Sequence, residues 1–186
     1  MTREELEHAI RAACAVVGDL EVWVFGSQSI LGQYPDVPET LRRSIEVDMD
    51  PKNRPELVDQ LDGALGEGSR FHETYGFYVH GVSIEAAILP RGWKERTKKV
   101  RTPSTGKATG YCLEAHDLAA SKLAAFRERD REFVRLLIKE RLVDPNRVVR
   151  LVNLLGLPEE RRTALREWVD GTARELSLAR QKKPGK

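Results

Sequence analysis

The sequence predicts an α+β fold, with a mixed β-sheet and flanking helices over residues 1–113 and a C-terminal helical bundle over residues 114–180. Three features carry this reading. A short apolar, β-prone run, Val-Trp-Val-Phe at 22–25, stops abruptly at Gly26-Ser27. At 45–50, Ile45, Val47 and Met49 alternate with Glu46, Asp48 and Asp50, which is the period of a strand. From Asp117 onward the apolar spacing changes to that of helices. Residues 181–186 read as a flexible basic tail.

Taken in order, Thr2 and Glu5 have the spacing of a capping box, and Leu6, Ile10, Ala13 and Val17 recur at helical intervals behind them. Gly18-Asp19 ends that helix and releases the first strand. Residues 26–34 begin as a turn and become a short helix, and Pro35 and Pro38 mark a loop. After the acidic strand, Pro51 and Pro55 bracket the start of a helix carrying Leu57, Val58, Leu61 and Leu65, closed by Gly66 and Gly68. Residues 77–80 and 82–89 read as two strands joined tightly at Gly81, and residues 110–113 as a last strand. Asp117 is the expected N-cap of the first C-terminal helix. A second helix holds Phe133, Leu136 and Leu137. Asp144-Pro145 opens a third that Gly156 ends, and Pro158 opens a fourth.

Composition narrows the function classes. A chain of 186 residues suffices for one domain with a small helical extension. With 40% hydrophobic and 32% charged residues it reads as an ordinary globular protein on the polar side. A net charge of +2 gives no global argument for nucleic acid, which would need a local patch. Cys14 and Cys112 lack metal-ligand spacing and sit among apolar neighbours, as reduced core residues of a cytoplasmic protein do. The start is too charged for a signal peptide, and no apolar run approaches a membrane span.

The chemistry begins with the acidic strand. Alternation puts Glu46, Asp48 and Asp50 on one face, where three like charges repel unless something neutralises them. A divalent cation with oxygen ligands, Mg²⁺ or Mn²⁺, would do so. A solvated edge strand whose acids face water is the plain alternative. A strand ending in Gly26-Ser27, followed by this acidic strand, resembles the nucleotidyltransferase superfold shared with DNA polymerase β. The segments His-Asp-Leu-Ala-Ala-Ser-Lys-Leu at 116–123 and Arg-Glu-Arg-Asp-Arg-Glu-Phe-Val at 127–134 are similar to motifs of one bacterial branch. That branch includes abortive-infection-type toxin nucleotidyltransferases, and the likeness covers roughly residues 22–143.

The resemblance implies a nucleotidyltransferase-like core and a metal-dependent transfer of a nucleoside monophosphate from an NTP to an acceptor. That acceptor would be an RNA such as a tRNA 3′ end, with protein and small-molecule acceptors left open, and an antitoxin protein would be a partner of a toxin. The alternatives are a non-catalytic nucleotide- or RNA-binding member of the same fold and a toxin–antitoxin interaction protein. The resemblance makes Gly26 and Ser27 the triphosphate-binding turn, and Glu46 and Asp48 the metal ligands, with Asp48 and Asp50 as the other register. Relatives usually carry two aspartates here, so Glu46 is a departure. Glu85, a lone acid among apolar residues, is the third-carboxylate candidate, and an outward-facing residue on a half-exposed strand is its alternative. Lys122 would contact the β- and γ-phosphates, and Asp130, with Arg127 or Arg129, would orient that lysine or the base, Arg127 being also a nucleotide-binding candidate. A surface salt-bridge helix explains the same residues without function. His80 and His116 are each possible general bases, but lone histidines are more often structural and neither is assigned. Residues 91–107 hold seven cations against the single acid Glu95, and with Trp93 they suit either an RNA grip or a solvated hairpin.

Overall fold

The computed structural model describes residues 1–181. Most of the tail expected at 181–186 lies outside the described residues. The chain divides into two compact units: Met1–Ala87 with Trp93–Glu114, and Ile88–Gly92 with the chain from Ala115 onward.

The first unit is built on helix α1 (Arg3–Val17) and five strands: β1 (Glu21–Phe25), β2 (Glu46–Pro51), β3 (Tyr78–Gly81), β4 (Lys98–Val100) and β5 (Thr109–Cys112). The sheet runs in the order β3-β2-β1-β5-β4 and is mixed. β1 is antiparallel to β2 and parallel to β5, β2 is parallel to β3, and β4 is antiparallel to β5. Thr2 and Glu5 form both halves of the capping box that starts α1, and Gly18 closes it in the left-handed conformation.

Side-chain alternation sorts the sheet into two faces. Val22, Val24, Val47, Met49 and Val79 are buried on one, under α1 and helix α2 (Val58–Leu65). Each such side chain contributes about 1.5–3 kcal/mol when fully buried, so a one-residue slip of β1 or β2 would be strongly disfavoured. Gly110 lies on this face because a Cβ there would meet Ile10 Cδ1 at 2.5 Å. The other face carries Trp23, Phe25, Glu46, Asp48, Asp50, His80 and Tyr111, paired across the strands.

The expected strand at 82–89 does not form. Pairing stops when the Val82 N–H donates to the Met49 carbonyl, and the chain turns into a 3₁₀ helix at Ile84–Ala86. Asp50 Oδ2 accepts the Ile84 N–H at 2.8 Å, and the Ser83 hydroxyl accepts the Glu85 N–H at 3.3 Å. These local side-chain bonds offer the backbone a turn in place of a ladder. Two short helices unforeseen in the sequence, α3 (Arg70–Tyr75) and α4 (Trp93–Arg96), complete this unit.

The second unit is helical: α5 (Ala115–Ala125), α6 (Glu128–Lys139), α7 (Pro145–Val152) and α8 (Glu159–Gln181). α5 packs on α6 and α7, and α7 on α8. Its start differs from expectation. Asp117 sits buried inside the first turn of α5, and the helix begins two residues earlier. Asp144 does cap α7, accepting the Asn146 N–H at 3.0 Å, and Pro145 follows it.

Candidate active site

Register builds the site. β1 ends at Phe25, which pairs with Asp48, so the turn that follows must pass beside the Asp48 side chain. Gly26 passes it with φ +65° and ψ −170°, a conformation essentially reserved for glycine. A Cβ at this position would lie 1.8 Å from Asp48 Oδ2. Gly26, expected to admit a triphosphate, therefore first admits the carboxylate of Asp48. Ser27 follows as the first residue of a 3₁₀ helix, Ser27–Gly32. The Ser29 hydroxyl donates to the Gly26 carbonyl at 2.8 Å, and Arg3 Nη1 donates to the Leu31 carbonyl at 2.6 Å, so both ends of this helix are tied.

On β2, Glu46 and Asp48 share the open face as the alternation predicts. The parallel neighbour β3 sets Tyr78 opposite Glu46 and His80 opposite Asp48. His80 Nδ1 lies 2.9 Å from Asp48 Oδ1 and 3.3 Å from Glu46 Oε1, and one potential ligand atom from each residue falls within 4.8 Å of the others. Tyr78 Oη donates to Glu46 Oε2 at 3.0 Å. The longer glutamate thus spans to a neighbouring strand and is held at both oxygens.

The third member of the cluster is His80, not Glu85. Glu85 stands exposed on the 3₁₀ turn, because the strand that would have carried it does not exist. Asp50 is also apart from the cluster. It is buried, and its Oδ2 caps the Ile84 turn, so the acids that converge are Glu46 and Asp48. His80 could have been found only by placing residues 77–80 parallel to the acidic strand, in register with Asp48.

A sequence profile described as nucleotidyltransferase of unknown function (DUF6036) matches residues 4–168. The chain belongs to that nucleotidyltransferase family. No curated protein and no solved structure matches it.

In this family member the electrostatics of the cluster are those of a charged site out of full contact with water. Burial raises the Asp48 carboxyl above the usual range; the His80 hydrogen bond opposes this and the nearby Glu46 charge adds to it. Burial pulls His80 down, but the Asp48 hydrogen bond and charge, with Glu46 and Asp62, outweigh it and leave the imidazole above its ordinary value. The Tyr78 hydroxyl is pushed up to about 12, by burial and then by Glu46. Beside the cluster a cleft of about 400 Å³ is lined by Glu46, Asp62, Glu67, Tyr78 and His80. An anionic triphosphate could enter such walls only together with cations. Two carboxylates and an imidazole converging on a shared point form a donor set that fits a divalent ion.

The remaining expected residues lie in the second unit. Lys122 Nζ is 3.3 Å from Asp130 Oδ1, and Arg127 Nε is 2.7 Å from Asp130 Oδ2. Asp130 is fully buried. Burial raises its carboxyl, but the Arg127 hydrogen bond and the Lys122 charge outweigh that and hold it below the usual carboxylate range. Asp130 thereby fixes both cations. His116 is buried, and its Nε2 accepts the Asp144 N–H at 2.9 Å ahead of α7, a structural role.

Proposed function

We propose that this chain is a divalent-metal-dependent nucleotidyltransferase that moves a nucleoside monophosphate from an NTP to an RNA hydroxyl. The acceptor oxygen bonds to the α-phosphorus, the bond to the β-phosphate bridging oxygen breaks, and pyrophosphate leaves. The observation that carries the reading is the meeting of Glu46, Asp48 and His80 beside the Gly26-Ser27 turn. Glu46, Asp48 and His80 would hold a divalent cation, which when bound neutralises triphosphate charge and favours ionisation of an attacking hydroxyl.

Each residue then has a task. Asp48, with Oδ2 against the Gly26 turn and Oδ1 facing β3, would hold the cation between the two, and the proton of the acceptor hydroxyl would pass to water. Tyr78 holds Glu46 in place through its hydroxyl. Ser27 offers a hydroxyl and an N–H to the phosphates. Lys122, fixed by Asp130, supplies the phosphate-contacting ammonium that the resemblance implies.

The test is incubation with each α-labelled NTP, total RNA and Mg²⁺ or Mn²⁺. Transfer of label to RNA is expected with the natural chain and none with Asp48→Asn, whose circular dichroism should be unchanged. Full transfer by Asp48→Asn would sink this site as the catalytic one. Nucleotide binding without turnover in the natural chain would mark a non-catalytic member of the family. The toxin role is read by expression, with growth arrest for the natural chain and none for Asp48→Asn.

A further inference from the structure

The open face of the sheet carries a second constellation, which nucleotidyl transfer itself does not use. Trp23 on β1 pairs with Tyr111 on β5, and their rings meet edge-to-face with centroids 5.4 Å apart. Trp93, from α4, lies against Trp23 at 4.9 Å. All three rings are half-buried, so none is enclosed in the core. Cations gather on them. Lys94 Nζ lies 5.7 Å from the Trp93 centroid and 5.9 Å from that of Trp23, and Lys99 Nζ lies 5.3 Å from that of Tyr111. Lys52 also sits over Tyr111 but is neutralised by Glu21 at 2.6 Å. Lys94 and Lys99 are exposed, and among the described residues their recorded contacts are with rings and not with acids. A cleft of about 520 Å³ is lined by Arg101 and Lys107 on one side and by Asp19 and Glu21 on the other.

A hairpin that needed only solubility would intersperse charges of both signs. Residues 93–107 instead hold six cations and one acid, beside three half-buried aromatic rings. Cations with ring faces are what an unpaired polynucleotide requires, phosphates on lysine and arginine and bases on aromatic side chains. Position adds a further argument. Trp23 is two residues, about 7 Å, along β1 from Phe25, the partner of Asp48, so the strip and the metal cluster lie on the same sheet face with the cluster on the neighbouring strands β2 and β3.

We propose that this strip binds single-stranded RNA, stacking a base on Trp93 while Lys94, Lys99 and Arg101 hold its phosphates. Its role in leading the acceptor end toward Asp48 rests on the transferase reading above; its binding of RNA does not.

The experiment measures anisotropy of a fluorescein-labelled unstructured 12-nucleotide RNA titrated with the full chain without NTP, alongside quenching of tryptophan fluorescence. Affinity should fall with salt, with a log–log slope of about −2 for three phosphate contacts on a single strand. The double variant Lys94→Glu/Lys99→Glu should lose at least tenfold. Trp93→Ala should lose roughly fivefold or more, with Trp93→Phe restoring most of it. Asp48→Asn should bind RNA normally while failing to transfer nucleotide. Binding unchanged in the lysine and tryptophan variants, or displacement by poly-glutamate as effective as by RNA, would overturn the strip. If the natural chain binds RNA as described yet transfers nothing, the strip stands and the transferase reading falls. If the strip variants lose RNA binding yet label RNA undiminished, the transferase reading stands and the strip's role in leading the acceptor falls.

Discussion

At the scale of single residues, His80 changes what the metal site should prefer. Imidazole is a poorer partner for Mg²⁺ than carboxylate, whereas Mn²⁺ sits between the oxygen-loving ions and the nitrogen-loving ones. Mn²⁺ should therefore support higher transfer than Mg²⁺, and His80→Asp should shift the ratio of the two activities toward Mg²⁺ by several-fold. Equal Mg²⁺ and Mn²⁺ rates in both proteins would remove His80 from the ligand set. Gly26→Ala tests the turn. The new methyl group would collide with Asp48 and be held at a positive φ, costing about 1–3 kcal/mol and displacing the carboxylate. Transfer should vanish even at temperatures where circular dichroism still reports a folded chain. Glu21 supplies a pH test away from the cluster. Lys52 and then Tyr111 pull its carboxyl down to about 2. A depressed carboxylate stabilises above its unfolded value near 4.5 and loses that contribution as pH falls toward 2. Because Glu21 is partly exposed, solvent screening leaves about 1 kcal/mol of this. Glu21→Gln should thus lower the denaturation midpoint at pH 7, with the two proteins converging near pH 2.

At the scale of elements, β2 separates two neighbouring acids by what their strand partners offer. Asp48 faces His80 and the Gly26 turn, whereas Asp50 is spent capping the turn after β3. Asp50→Asn keeps an acceptor for the Ile84 N–H and should retain most activity, in contrast to Asp48→Asn. Parallel assays of the two variants decide the register, and loss of activity in both would reopen it. Much of this was legible in the sequence, because the β2 alternation, the glycine stop after β1 and the α1 capping box are local signals. What escaped was set by partners. Residues 82–89 are apolar enough to read as a strand, but two side chains, Asp50 and Ser83, bond their backbone into a turn and leave Glu85 outside. His80 acquires meaning only from the register of β3 against β2, which no local pattern encodes. Asp117 resembles a cap in the sequence because capping residues and buried aspartates look alike until the helix start is known.

At the scale of the whole molecule, every ligand atom of the cluster comes from the first unit, and the Lys122–Asp130–Arg127 triad belongs to the second. Removing a buried acid strands its cations, so Asp130→Ala should destabilise the chain by about 3 kcal/mol. Mn²⁺ binding at Glu46, Asp48 and His80, followed by paramagnetic resonance below the melting transition, should be unchanged. A parallel loss of Mn²⁺ affinity would show that the second unit shapes the metal site. No helix among the described residues is long and apolar enough to cross a membrane.

The space that Gly26 leaves for the Asp48 carboxylate also bears on descent. A lineage that acquires any side chain at position 26 disarms position 48 in the same step, after which selection no longer guards the aspartate. The two positions should consequently be lost together, and a homologue with alanine or serine at 26 beside an intact acidic strand would be a recent casualty. Reverting that single position to glycine in such a homologue should revive transfer.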